Sequence, residues 1–447
     1  MHKTEDKVFY RNYKWTYPKI VRGKGVYLYE DNGKEYLDAC SGAVSANLGH
    51  GNEEIAEVLF NQAKTLAFTH LSMFTTNPII ELAQKVIDFS GNKYAGVYFV
   101  SGGSEAADTA IKLARQYYLE RDKVTSKHKI ISRWRSFHGN TIGAMSLSGK
   151  TGLRRKYDPL LLDFPHIEPC YCYRCPFESI YPECKVKCAL ELEKVINRVG
   201  AENIAGFIVE PIVGSSLSAA YPPAEYFKII REICDRYDIL LIFDEVMSGF
   251  GRSGKNFAMD YWGVVPDLTM IAKGIGGCYS PLGGVMVTER ILETFKKGSG
   301  KFVHGYTCAG NPLSCAVGSK VIDIIVRDRL VENSFNLGQY LIEMLKELAA
   351  QSNIIGDVRG KGLLLGLEFV QDKKTKEPFP VEKKVHELIK ILGLQNGIVL
   401  YTGDGLIQGN QGDHTLIGPP LNISKKEINI LLERLKATIK KAEEMLL

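Results

Sequence analysis

Ile239-Leu240-Leu241-Ile242-Phe243-Asp244-Glu245 and Leu268-Thr269-Met270-Ile271-Ala272-Lys273-Gly274 are the two stretches that decide the fold of this chain. Each is an apolar run that ends in charge. Such runs, with no steady alternation of polar residues, are strands buried on both faces, as in a parallel sheet covered by helices. Ligands of these sheets bind outside the carboxyl ends of the strands. The two runs therefore bring a carboxylate, Asp244, and an amine, Lys273, to one rim. A desolvated lysine loses part of its preference for the charged form and becomes a nucleophile. Lysine for a Schiff base and aspartate for a pyridinium nitrogen are the protein's half of pyridoxal phosphate chemistry. A surface lysine paired with a nearby acid gives the same local pattern, so the pair needs further residues to carry a function.

Outward from these runs, strands and helices alternate. Val97-Tyr98-Phe99-Val100 is expected as a strand and Glu105 to Glu120 as a helix, with Ala106, Ala110, Leu113, Ala114 and Tyr117 on one face. A strand begins at Ile130-Ile131. Phe207-Ile208-Val209 is another, followed by a helical stretch from Ala224 to Tyr237. This alternation predicts an α/β fold with helices on both faces of the sheet. The two ends read differently. Residues 1–60 hold the extended Trp15-Thr16-Tyr17-Pro18 and a hairpin, Val26 to Tyr29 and Glu35 to Leu37, turning at Asp31-Asn32-Gly33. Residues 319–447 hold a long helical stretch, strands near Leu363 to Leu365 and Ile398 to Leu400, and a final helix. The expected division is a large domain over 61–318 and a smaller α+β domain from 1–60 and 319–447. The Gly-rich stretch 402–412 reads as a mobile loop.

With 447 residues, 45% of them hydrophobic and 24% charged, the chain has the composition of an ordinary globular protein. A net charge of +5 without a basic block gives nucleic-acid binding no support. Met1-His2-Lys3-Thr4-Glu5-Asp6-Lys7 has no apolar core of a signal peptide, and no apolar stretch is long enough to span a bilayer. A cytoplasmic location without membrane partners is the expectation. Ten cysteines in such a chain are expected as thiols. Cys172, Cys175, Cys184 and Cys188 have spacings open to a four-thiolate metal site, or to packed thiols in a local loop.

Further residues fall at strand ends. Ser101-Gly102-Gly103-Ser104-Glu105 lies between a strand and a helix, where backbone N–H groups and the helix dipole favour a phosphate; a Ser N-cap with turn glycines fits the same residues. Phe137-His138-Gly139 follows a strand and offers an aromatic face for a planar ring, or a core Phe. Glu210-Pro211 adds a carboxylate to the rim. Thr307 sits in a turn-rich loop before a helix.

Phosphate cradle, ring-stacking aromatic, carboxylate and lysine in this order resemble the class III pyridoxal-phosphate aminotransferases of fold type I. The motif Phe243-Asp244-Glu245-Val246 to Gly249, Gly251-Arg252-Ser253-Gly254, Pro266-Asp267 and Ala272-Lys273-Gly274 carries the likeness, which extends from Gly23 to Leu421. The resemblance implies a mostly parallel seven-stranded sheet and pyridoxal 5′-phosphate as cofactor. It implies Lys273 as the Schiff-base lysine and proton shuttle, and Asp244 on the pyridine nitrogen. Val246 and Phe137 would pack on the ring faces, with His138 beside them and Glu210 near the ring hydroxyl. Gly103 and Ser104 would bind phosphate, joined by Thr307 of a second subunit. A homodimer, with tetramers open, follows from that last role. The activity implied is transfer of an amino group from an amine donor to a 2-oxo acid.

Two departures narrow the substrate. Ser215 stands where ornithine- and 4-aminobutyrate-type members carry a glutamate that gates an arginine. No arginine lies between Arg359 and Arg434, so the usual partner of a substrate carboxylate is absent there. The pattern resembles the ω-amine or ω-amino acid:pyruvate branch, in which Trp15 and Tyr17 would line the substrate pocket. An amino-acid racemase, epimerase or aminomutase would use the same Lys273 and Asp244. A nucleotide-binding module using the cradle alone leaves the Asp244 and Lys273 pairing unexplained.

Overall fold

The computed structural model describes residues 7–407 and 409–447, so the amino-terminal reading of residues 1–6 lies outside the described residues. The hairpin forms as expected and gains a strand: β1 (Ile20–Lys24), β2 (Tyr27–Glu30) and β3 (Glu35–Asp38) run antiparallel. Gly33 takes φ 89 in the turn, a left-handed conformation that a side chain would strain.

The central sheet comprises β4 (Gly96–Val100), β5 (Lys129–Arg133), β6 (His166–Ile167), β7 (Ile204–Val209), β8 (Leu240–Asp244), β9 (Leu268–Ile271) and β10 (Gly283–Val287), in the order β4-β10-β9-β8-β7-β5-β6. β10 runs antiparallel to β4 and β9, and the other pairings are parallel. Burial on both faces is explicit. Phe207, Val209, Leu241 and Phe243 belong to one core cluster, and Ala205, Ile208, Leu240 and Ile242 to the other. This is why the runs showed no alternation. The first helix after β4, Gly103–Asp122, buries Ala106, Ala107, Ala110, Leu113, Ala114, Tyr117 and Tyr118 on one side, so its small residues allow close approach to the sheet. Lys187–Val199 and Tyr226–Arg236 cover the opposite face, with Leu192, Ile196, Phe227 and Ile230 in the first cluster.

A second antiparallel sheet comprises β11 (Ile355–Lys361), β12 (Leu364–Phe369), β14 (Tyr401–Gly403) and β15 (Asp413–Ile417) in the order β11-β12-β15-β14. Between them in the chain, β13 (Ile398–Val399) pairs in parallel with β3, so the two ends of the chain share a sheet. The final helix, Lys425–Leu446, starts at a capping box in which Ser424 and Glu427 exchange hydrogen bonds. Arg252, fully buried, donates to the carbonyls of Leu363 at 3.1 Å and Pro419 at 2.5 Å and to Asn47 Oδ1 at 2.8 Å, joining early, middle and late segments.

The expected mobile loop over 402–412 is corrected. Thr402 and Gly403 are in β14, Ile407 bridges Gln411, and Leu406 is buried against Tyr171, Val213, Leu217 and Ala220. Leu406 supplies the apolar anchor that glycine-rich composition concealed. Among the described residues no helix is long and apolar enough to cross a membrane.

Candidate active site

β4, β5, β7, β8 and β9 end at the same rim, and the chain leaving each contributes to one cavity of about 310 Å³. Gly102, Gly103 and Ser104 follow β4, Phe137 and His138 follow β5, and Glu210 follows β7. Asp244 is the last residue of β8, and Lys273 comes two residues after β9. All of these line the cavity, with Val246. The sheet thus gathers residues from positions 102 to 273, as the strand-end rule requires.

Asp244 is held from two sides. Its Oδ1 accepts from the Val246 backbone N–H at 3.0 Å, and its Oδ2 lies 2.8 Å from His138 Nδ1. The His138 ring is buried and its Nε2 is 3.3 Å from Ser132 Oγ, so the imidazole orients the carboxylate. Glu210 is buried too. Its Oε1 accepts from the Phe137 N–H at 3.4 Å, while Oε2 has no hydrogen-bond partner among the described residues. Burial pushes this carboxyl up to about 7. Arg133, almost fully buried, donates from Nη2 to the Glu210 carbonyl at 2.8 Å. Arg133 carried no local motif; its place at the end of the strand that begins Lys129-Ile130-Ile131 was the available signal.

Lys273 adopts φ 50, in the left-handed region. Its Nζ donates to the carbonyl of Ala43 at 2.9 Å. Burial brings its ammonium down to about 8, against the opposing attraction of Asp244. The amine is thus nearer to its neutral, nucleophilic form than a surface lysine at neutral pH. The bland alternative of a surface pair does not describe it.

The cradle has a free helix end. Gly102 precedes the helix Gly103–Asp122 with no side-chain cap, leaving first-turn N–H groups toward the cavity. The Ser104 hydroxyl accepts from Asn140 N–H at 3.0 Å. A Cβ on Gly103 would come within 3.2 Å of Val246 Cγ1, and one on Gly139, at φ 143, within 2.6 Å of Ser104 Oγ. Gly139 is therefore required by space, whereas at Gly103 the Val246 methyl would have to give by a few tenths of an ångström.

Ser45, Asn140, Cys278 and Tyr401 also line the cavity. They come from segments distant in sequence and carried no local motif. Ser215 lines it as well. Three expected residues do not. Thr307 is exposed and outside the cavity of its own chain. Trp15 is covered by Lys390, whose Nζ lies 3.8 Å from its ring centroid, and Tyr17 stacks on Tyr10 at 4.7 Å. Within one chain, packing draws both aromatics to other partners. The thiolate site does not assemble either: among the described residues no group of three His, Cys, Asp or Glu can hold a metal. Cys188 packs into the core from its helix, whereas Cys172 is exposed and Cys175 and Cys184 are half-buried.

A seven-stranded, mostly parallel sheet with a desolvated lysine, a buried aspartate and a phosphate-type cradle on one rim defines a fold type I pyridoxal-phosphate transferase. The family model described as "Aminotransferase class-III" matches residues 8–439. The chain is 39% identical over 431 residues to the uncharacterized aminotransferase YodT of Bacillus subtilis, covering 96% of each. It is 36% identical over 415 residues to the putrescine–pyruvate aminotransferase of Pseudomonas aeruginosa, covering 92% of this chain and 88% of that one. A crystal structure of an (S)-enantioselective omega-transaminase from Thermomicrobium roseum superposes with a TM-score of 0.89 at 37% identity, covering 96% and 94%. The chain belongs to the class III aminotransferases.

Pyridoxal 5′-phosphate is the cofactor of that family, and the residues present fit it. The uncapped helix end and glycine floor suit a phosphate. Glu210 Oε2, which accepts no hydrogen bond among the described residues and lies 3.8 Å from Arg133 Nη2, suits a hydroxyl donor, and the Lys273 amine, held by the Ala43 carbonyl, suits an aldehyde.

Proposed function

We propose that this aminotransferase moves an amino group from an ω-amine or ω-amino acid to pyruvate. Gly103 and Ser104 would hold the cofactor's phosphate, Phe137 and Val246 its ring faces, Asp244 its ring nitrogen and Lys273 its reactive carbon. When bound, the cofactor supplies a protonated ring that takes up the electron pair left when the amine-bearing carbon loses a proton. Asp244, oriented by His138, keeps the proton on the ring nitrogen. Lys273 Nζ would serve as the base that takes a proton from the donor's amine-bearing carbon and as the acid that gives it back. Its lowered affinity for protons suits both halves of that task. The burial of Asp244 and Glu210 would strengthen their electrostatic hold on the cofactor ring.

The observation that carries the substrate reading is the cavity wall beyond the ring. Ser215 stands there in place of a carboxylate, and among the described lining residues there is no arginine. A donor with a terminal amine and no carboxylate needs no cation, and the similarity to a putrescine–pyruvate aminotransferase supports that choice of donor. The exposed position of Thr307 supports a homodimer in which this residue completes the site of the second copy, with residues 61–318 as the cofactor-binding domain. A matrix of donors (putrescine, β-alanine, α-amino acids) against pyruvate and 2-oxoglutarate tests the reading. Turnover confined to α-amino acids would sink it. Loss of the donor's stereochemistry without a new amino acid would point to racemase or aminomutase chemistry instead.

A further inference from the structure

Two carboxylates line the cavity, Asp244 and Glu210, and consecutive residues of β5 stand behind them. Ser132 and Arg133 leave opposite faces of that strand. Ser132 Oγ lies 3.3 Å from His138 Nε2, and the same ring reaches Asp244 through Nδ1 at 2.8 Å. Arg133 Nη2 donates to the Glu210 carbonyl at 2.8 Å and lies 3.8 Å from Glu210 Oε2. The arginine side chain is 1% exposed, and its Nε and Nη1 have no hydrogen-bond partner among the described residues. Among those residues, the side-chain hydrogen bond of this buried cation therefore goes to Glu210 alone.

A guanidinium kept out of water needs partners to offset its lost hydration. Arg252 finds them by spreading over the carbonyls of Leu363 and Pro419 and the side chain of Asn47. Arg133 is instead committed to one residue, and that residue needs it. The Glu210 side chain accepts one long hydrogen bond, from the Phe137 N–H at 3.4 Å, and burial favours its neutral acid. A neutral acid spends one oxygen as a donor, whereas an ionised carboxylate offers both as acceptors. Asp244 pushes Glu210 further toward the neutral form, while His138 and Arg133 oppose that, and Lys273 responds to its charge. His138 is already engaged by Asp244, which leaves Arg133 to Glu210.

We infer that Arg133 is a positioning residue for amine transfer, holding Glu210 from the neighbouring strand as an ionised acceptor for the ring hydroxyl of the cofactor. The inference rests on the placement of Glu210 at that hydroxyl and names the group that keeps it an acceptor. Arg133 itself does not line the cavity and acts through Glu210.

Fluorescence titration of the cofactor-free full chain with pyridoxal 5′-phosphate and with its 3-deoxy analogue, which lacks the ring hydroxyl, tests this. Arg133→Met should weaken the natural cofactor by about tenfold to a hundredfold, the effect of losing a hydrogen bond to a charged group. The 3-deoxy analogue should lose much less. Arg133→Lys, which keeps the charge, should recover most of the affinity. In a Glu210→Gln chain, adding Arg133→Met should change neither affinity further, because the two residues act as one unit. Unchanged affinity in Arg133→Met overturns the inference. So does equal weakening of both cofactors, because the arginine then acts through the fold. If Arg133→Met does not fold alone, the paired variant decides, since both buried charges are then gone: a further loss beyond Glu210→Gln overturns the inference. Equal weakening of both cofactors by Glu210→Gln rejects the placement of Glu210 at the hydroxyl. A selective loss in Glu210→Gln with none in Arg133→Met rejects the role of Arg133 alone.

Discussion

His138 Nδ1 sits 2.8 Å from Asp244 Oδ2, with both side chains buried, so the imidazole fixes the orientation of the carboxylate assigned to the cofactor ring. Asp244→Asn removes the charge that holds the ring proton. The expected loss in kcat is about 10²–10⁴-fold, the range for a lost acid–base contribution. His138→Asn keeps Asp244 and should lose about tenfold to a hundredfold, as for a hydrogen bond to a charged group. Steady-state kinetics of both variants check the order; a larger loss in His138→Asn would contradict it.

Lys273→Ala should abolish transamination and leave no cofactor covalently trapped on the chain after borohydride reduction. Peptide mass analysis of reduced wild type should find the added mass on Lys273. Trapping at any other lysine would overturn its assignment.

Lys273 also sets a pH dependence. In the cofactor-free protein its ammonium is brought down to about 8 by burial, from 10.5 for a free side chain. Below pH 8 folded and unfolded chains both hold the proton, and the burial penalty is fully present. Between 8 and 10.5 the unfolded chain binds more protons, so stability from this group rises with pH. Lys273→Met should therefore be the more stable at pH 7, with the difference shrinking toward pH 10. Urea midpoints across that range check the trend; a constant difference would contradict it.

Gly139→Ala would place a Cβ 2.6 Å from Ser104 Oγ and 2.8 Å from Ser104 Cα at φ 143. Strain of about 1–3 kcal/mol is expected, together with weaker cofactor binding as Ser104 shifts. Denaturant unfolding and cofactor titration should move together.

Glu368 is fully buried and accepts from Tyr171 Oη, Arg174 Nε and Arg359 Nη1. Glu368→Ala leaves Arg359 buried beside the Leu217–Ser218 turn without its main counter-charge, and should destabilise by about 3–5 kcal/mol. Chemical denaturation measures it.

The rim was legible because strands buried on both faces write themselves as apolar runs, and because Asp244 and Lys273 stand at their ends. The place of Gly102, Gly103 and Ser104 on the rim was legible for a related reason: they lie between a strand and the helix that follows it. Trp15 and Tyr17 lie outside the cavity of their own chain because Lys390 and Tyr10 take up their rings there. The stretch 402–412 read as loose because its glycines hide one buried anchor, Leu406.

The sequence by itself determined the sheet, its rim and the placement of Asp244 and Lys273 on it, since these depend on local patterns of burial and charge. Only the tertiary structure decided which distant groups meet there. The bond from Lys273 to Ala43, the His138 ring behind Asp244 and the Arg133 guanidinium on the Glu210 carbonyl join residues far apart in the chain. Such contacts are set by packing across elements, and no periodicity along the chain records them.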